Sequence, residues 1–184
     1  MSRRLLAVLF CLAAPSRAAE TKASSPSQTI AALVRFEAPK GWRAEEYANG
    51  GGADPVIAYA DGLDRVTVRA FGAPGSAFKD AAAFLAGAAA STMGRKPETI
   101  GAVTAGGRHP TLYRRGFPID LGGPHAPSGP PRLGSEVFCL LPAAGGRFVV
   151  LSYARESPVP DRERRGEKAW EAFLKTVKLT GRKT

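Results

Sequence analysis

The sequence predicts an α+β domain: a central antiparallel sheet of about six to seven strands flanked by two main helices. Three observations carry this. Short runs rich in Val, Ile, Phe and Tyr come in pairs joined by turn residues. Two longer stretches repeat their apolar residues at helical spacing. Hairpin strands, a helix, two further hairpins and a last helix follow one another, an order that groups antiparallel strands rather than alternating strand and helix. With 44% hydrophobic and 23% charged residues, the 184-residue chain has a globular balance and length enough for one core.

The first strand is expected over Ala32–Glu37, ended by Pro39, with Lys40-Gly41-Trp42 turning the chain into a short second strand over Arg43–Ala48. Asn49-Gly50-Gly51-Gly52 reads as a loop. Val56–Tyr59 and Arg65–Phe71 form a hairpin across Asp61-Gly62-Leu63-Asp64, because Asp-Gly between β-rich runs suits a tight turn. Arg65, Thr67 and Arg69 alternate with Val66, Val68 and Ala70, which predicts one wet and one buried face. Ser76–Met93 reads as a helix capped by Ser76 and stopped by Gly94, with Phe78, Ala81, Ala82, Leu85, Ala88 and Ala89 on its inner face. Thr99–Ala105 and Thr111–Ile119 pair around Gly106-Gly107. Residues 120–134 hold too much Gly and Pro for a regular element, and so long a loop is a candidate contact region. Ser135–Leu141 and Arg147–Ala154 are dense in Val, Leu, Phe and Cys and belong at the sheet centre. The last helix is expected over Asp161–Leu179, with Trp170, Phe173, Leu174 and Val177 as its stripe and acidic and basic residues placed to suit its dipole.

Residues 1–18 follow the plan of a cleavable export signal. Arg3 and Arg4 precede an apolar run from Leu5 to Ala14, too short to span a bilayer, and small residues surround a cut before Ala19. Residues 19–29 read as a flexible leader, and 30–184 as a single domain. The expectation is an exported monomer, periplasmic or extracellular, with no transmembrane segment in the mature chain. Cleavage removes Cys11 and leaves Cys139 without an internal disulfide partner. It also takes three arginines from a net charge of +10 and leaves +7, a balance that favours anionic partners.

Phe36–Trp42, the hairpin ahead of a Ser-headed helix, Gly146–Tyr153 (GRFVVLSY) and Trp170–Val177 (WEAFLKTV) together resemble the PsbP/Mog1-like superfamily, over most of residues 31–180. The resemblance implies an αβα sandwich. It also implies a non-catalytic role: extrinsic subunit of a membrane complex, partner of another protein, or chaperone.

The residues themselves point the same way. Ser76 sits where a nucleophile elbow would, but Pro74 and Phe78 stand where that turn needs glycine. Cys139 lies in a predicted central strand, the setting of an inert thiol. His109 and His125, the only histidines, fall by Pro- and Gly-rich turns and are too few for a tight metal site. Asp61, Asp64, Glu45 and Glu46 are explained by turns and surface. Asn49–Gly52 lacks the Lys-Ser/Thr of a phosphate loop. No catalytic, cofactor or metal residue is therefore assigned. Arg114, Arg115, Arg132, Arg155, Arg162 and Arg165, with Arg164 beside them, are the candidate contacts for a protein or anionic partner. Without interleaved aromatics they do not specify nucleic acid. Two alternatives stay open: a small secreted hydrolase using Ser76 or Cys139, and a chaperone or carrier holding an apolar ligand between helix and sheet.

Overall fold

The computed structural model describes residues 24–92, 95–118, 133–157, 159 and 161–180. The expected signal, Met93, Gly94, most of the 120–134 loop with His125 and Arg132, and Gly181 lie outside the described residues.

The protein is α+β. Seven antiparallel strands form one sheet in the order β2 (Arg43–Asn49), β3 (Asp54–Asp61), β4 (Asp64–Phe71), β8 (Phe148–Arg155), β7 (Leu133–Pro142), β6 (Thr111–Pro118) and β5 (Glu98–Ala102). The third predicted hairpin supplies β7 and β8, and β8 is the middle strand, buried from Phe148 to Tyr153. The turn between β3 and β4 has two residues, and Gly62 takes a φ of +58° there, which a glycine adopts without a Cβ penalty.

Side chains alternate between two covered faces. On one, Val66, Val68, Cys139, Leu141, Leu151 and Tyr153 pack under helix α3 (Arg165–Thr176) through Trp170, Phe173 and Leu174, with Ile30 of α1 (Pro26–Ala31) alongside. On the other, Phe71, Phe138, Phe148 and Val150 pack under Phe84 of helix α2 (Ala81–Ala90), with Phe78, Leu85 and Tyr113 at the margin. This second core covers only one end of its face.

Several boundaries differ from expectation, each for a local reason. Residues 26–29, expected within a flexible leader, instead begin α1, because Ser25 caps that helix in a reciprocal box with Gln28. The first predicted strand reduces to β1 (Val34–Arg35), which pairs with β9 (Lys178–Leu179) rather than with the large sheet. The last helix accordingly stops before Val177, whose backbone is extended, and its final residues become β9. Its start is held by Asp161, whose carboxylate accepts from the backbone N–H of Glu163 at 3.0 Å and of Arg165 at 2.7 Å. Helix α2 is capped by Asp80, which accepts from the Ala83 N–H at 2.8 Å, so Ser76 is not its cap. Phe84 and Ala88, not Leu85 and Ala89, are its most buried residues.

Candidate functional site

The expected wet face of β4 is the largest surprise. Thr67 is buried, and Arg69 is mostly covered, its guanidinium over the Phe84 ring of α2. Register explains why. Arg115 on β6 stands opposite Glu136 on β7, which stands opposite Ala154 on β8, which stands opposite Arg65 on β4. One row further along, Phe138, Ser152 and Thr67 align. Strand pairing therefore gathers Arg65, Arg69, Arg115, Glu136, Thr67 and Ser152 on the half of the face beyond the α2 core, where Thr67, Glu136 and Ser152 are buried and the arginines lie partly exposed.

Glu136 is the hub, with 6% of its surface exposed. Arg69 Nη2 donates to its Oε1 at 2.9 Å, and Arg115 Nε donates to its Oε2 at 2.6 Å. Arg115 also donates through Nη1 to Ser91 Oγ at 2.9 Å. Each guanidinium stands over a ring, Arg69 at 5.7 Å from the Phe84 centroid and Arg115 at 5.8 Å from that of Phe138. Stacking and charge-assisted bonds together hold both side chains in place. One carboxylate thus serves two cations. Arg69 Nη2 also reaches Ser152 Oγ at 3.4 Å. Among the described residues Arg65 has only a long ion pair, 3.7 Å to Glu156, and the buried Nε–H groups of Arg65 and Arg69 have no hydrogen-bond partner there.

The arginines singled out in the sequence are spread apart. Arg114 and Arg115 are neighbours in a strand, so they point to opposite faces. Arg155 lies on the α3 side and donates through Nη1 to both carboxylate oxygens of Asp64 at 3.0 Å. Tyr153 donates to the same Asp64 at 2.7 Å; burial, then that hydrogen bond, pushes its phenol well above the usual range. Arg165 pairs with Glu163 at 2.5 Å, Arg164 pairs with Glu167 and Glu171, and Arg162 is exposed. Of the five that are described, Arg115 alone belongs to the Glu136 cluster; Arg132 lies outside the described residues. Arg65 and Arg69 were visible as an alternating pattern, but nothing local in the sequence tells that Glu136 and Arg115 share their face.

The candidate nucleophiles are structural. Ser76 donates to Asp54 Oδ1 at 2.5 Å and accepts from the Gly72 N–H at 3.1 Å, while Asp54 Oδ2 accepts from the Ala77 N–H at 2.9 Å. Asp54 is buried, and this lock shapes the approach to α2. Cys139 is fully buried between Leu112 and Leu151, and burial pushes its thiol up to about 12. His109 contacts Thr104 at 3.2 Å in the β5–β6 connection. Among the described residues no three His, Cys, Asp or Glu side chains come together to hold a metal, and no helix is long and apolar enough to cross a membrane.

No family model matches the chain, and no curated protein matches it either. The site therefore rests on its own geometry. Away from that cluster, an apolar groove of about 330 Å³ lies between the Pro39–Trp42 turn and α3, against Ala169, Ala172 and Phe173.

Proposed function

We propose that the protein is an exported accessory domain that binds a negatively charged partner and performs no chemistry. The observation that carries this reading is the donor-rich surface around Glu136. Its cations are held in place and outnumber the one carboxylate at their centre, and that carboxylate is committed to Arg69 and Arg115. Ser76 and Cys139 add support, since one hydroxyl is committed to Asp54 and the thiol is sealed in the core. The non-catalytic roles come from the PsbP/Mog1-like resemblance in the sequence, and a fold alone carries no function. Most of the 120–134 loop lies outside the described residues, in the connection between β6 and β7, and we keep it in the proposed contact region on its sequence alone.

The test is capture of a partner by the purified domain, repeated at rising salt and with Arg69→Gln and Arg115→Gln. Capture weakened by salt and by both substitutions is expected. Hydrolysis of ester or peptide substrates that Ser76→Ala or Cys139→Ala abolishes would overturn the reading.

One observation favours a second reading. The Trp42–Phe173 groove is apolar and lies between a turn and a helix, as a carrier of small apolar ligands would require. Native mass spectrometry of the freshly purified protein decides it, through the presence or absence of a co-purified apolar molecule that Trp42→Ala removes.

A further inference from the structure

We infer that Arg65 and Arg69, bracketing Thr67 beside Ser152, form a binding site for a phosphate-type oxyanion. The inference rests on the partner-binding reading above and names the chemical group that the partner presents.

The argument starts from unmet bonds. A guanidinium carries five N–H donors, and Nε–H with one Nη–H makes the side-on fork that fits an oxyanion. In both Arg65 and Arg69, as in Arg147 at the β7–β8 turn, the Nε–H is buried without a partner among the described residues. Buried donors in native proteins are nearly always satisfied, so two on one face call for a missing acceptor. Charge gives the same sign. Glu136 supplies a single negative charge to Arg69 and Arg115, and the Arg65–Glu156 pair is long and solvent-exposed on both sides.

Geometry lets one ligand reach both forks. Residues four apart on a strand have Cα atoms about 13 Å apart on the same face, within reach of two arginines leaning over the residue between them. Thr67 is that residue, and its hydroxyl bonds to no described group. Ser152 stands opposite it, already accepting from Arg69 and free to donate its own proton. Ala58, Ala60 and Ala154 fill the positions beside Arg65 and Thr67 on β3 and β8, while Val56 stands opposite Arg69 and Phe138 opposite Ser152. Thr67 and Ser152 are buried, so a ligand reaches them only as Arg65 swings aside. Two forks and two hydroxyls exceed what the two oxygens of a carboxylate readily accept, and they suit a tetrahedral group with three or four. Arg65, 38% exposed, closes on the ligand by rotating its side chain.

The group can come from free phosphate, a soluble phosphate ester or a phospholipid headgroup, and the experiment separates these. The full protein is titrated with sodium phosphate against sodium chloride at equal ionic strength, following its melting temperature and backbone amide shifts. Phosphate should raise the melting temperature and move the Thr67 and Ser152 amides. Arg65→Gln should weaken binding about ten-fold, as loss of one charge-assisted fork predicts. Arg65 makes no hydrogen bond to a described residue, so this variant should melt at the parent temperature without phosphate. Arg69→Gln should act alike, and because it disturbs Glu136 its melting curve is read first. Sedimentation with phosphatidylglycerol vesicles, and its loss in Arg65→Gln, points to a headgroup; phosphate binding without sedimentation points to a soluble source. No effect of phosphate beyond chloride, or parent-like binding by Arg65→Gln, overturns the inference. If arginine-dependent capture of a partner persists in that case, the partner-binding reading stands alone.

Discussion

Gly166 shows how closely single atoms decide this structure. It sits in the first turn of α3, where alanine would ordinarily favour the helix by about 1 kcal/mol. A Cβ at this position would lie 2.5 Å from Asp64 Cγ and 2.6 Å from the Tyr153 hydroxyl. Neither neighbour can yield, because Asp64 is held by Tyr153 and Arg155 together. Overpacking costs about 1–3 kcal/mol and prevails. Gly166→Ala is therefore expected to lower stability by about 1–2 kcal/mol in urea unfolding, despite its better helix propensity. Cys139 supplies a second prediction. Its thiol is raised from an ordinary value near 9 to about 12 by burial alone, so the folded state keeps its proton longer than the unfolded chain does. Its contribution is complete below about pH 9 and is lost as pH rises toward 12. Stability should fall across that window, and Cys139→Ala should flatten the fall without abolishing it, since Tyr153 is also raised.

Among the elements, α2 is the least securely made. It is ten residues long, mostly alanine, and buries only Phe84 and Ala88. Phe84 meets Phe71, Phe78, Phe138 and Phe148 and lies beneath the Arg69 guanidinium. Phe84→Ala should cost about 3–5 kcal/mol by denaturant melting and should also loosen Arg69, weakening any anion bound there. The alanine run hid this dependence from the sequence: helical spacing gave the element and put Phe78, Leu85 and Ala88 on its inner face but missed Phe84, and Ser76 looked like a cap because its bond to Asp54 spans 22 positions. The hairpins were legible for the opposite reason. Their signals, Asp61-Gly62 and Gly106-Gly107 between alternating runs, are local. What could not be read was pairing between distant strands. Placement of β4 against β8 and of β6 against β7 brings Arg65, Arg69 and Arg115 to one face and sends Arg114 and Arg155 to the other.

At the scale of the whole molecule, stability is graded from the middle strand outward. β8 is buried along nearly its whole length and paired on both sides by β4 and β7, whereas β2 is an outer strand with mostly exposed residues. Hydrogen exchange should be slowest in β4, β7 and β8 and fastest in β2 and β5; a protected β2 would mean that something covers it.

The small β1–β9 ladder has a topological consequence. Val34 sits opposite Leu179, and the Thr180 N–H donates to the Leu33 carbonyl at 2.9 Å, so the two extremities of the described fold meet. A short linker could tie them together, and new ends could be opened at the exposed Gly145 in the β7–β8 connection. Such a circular permutant should reach the same native state, with an unchanged amide fingerprint across the seven-stranded sheet.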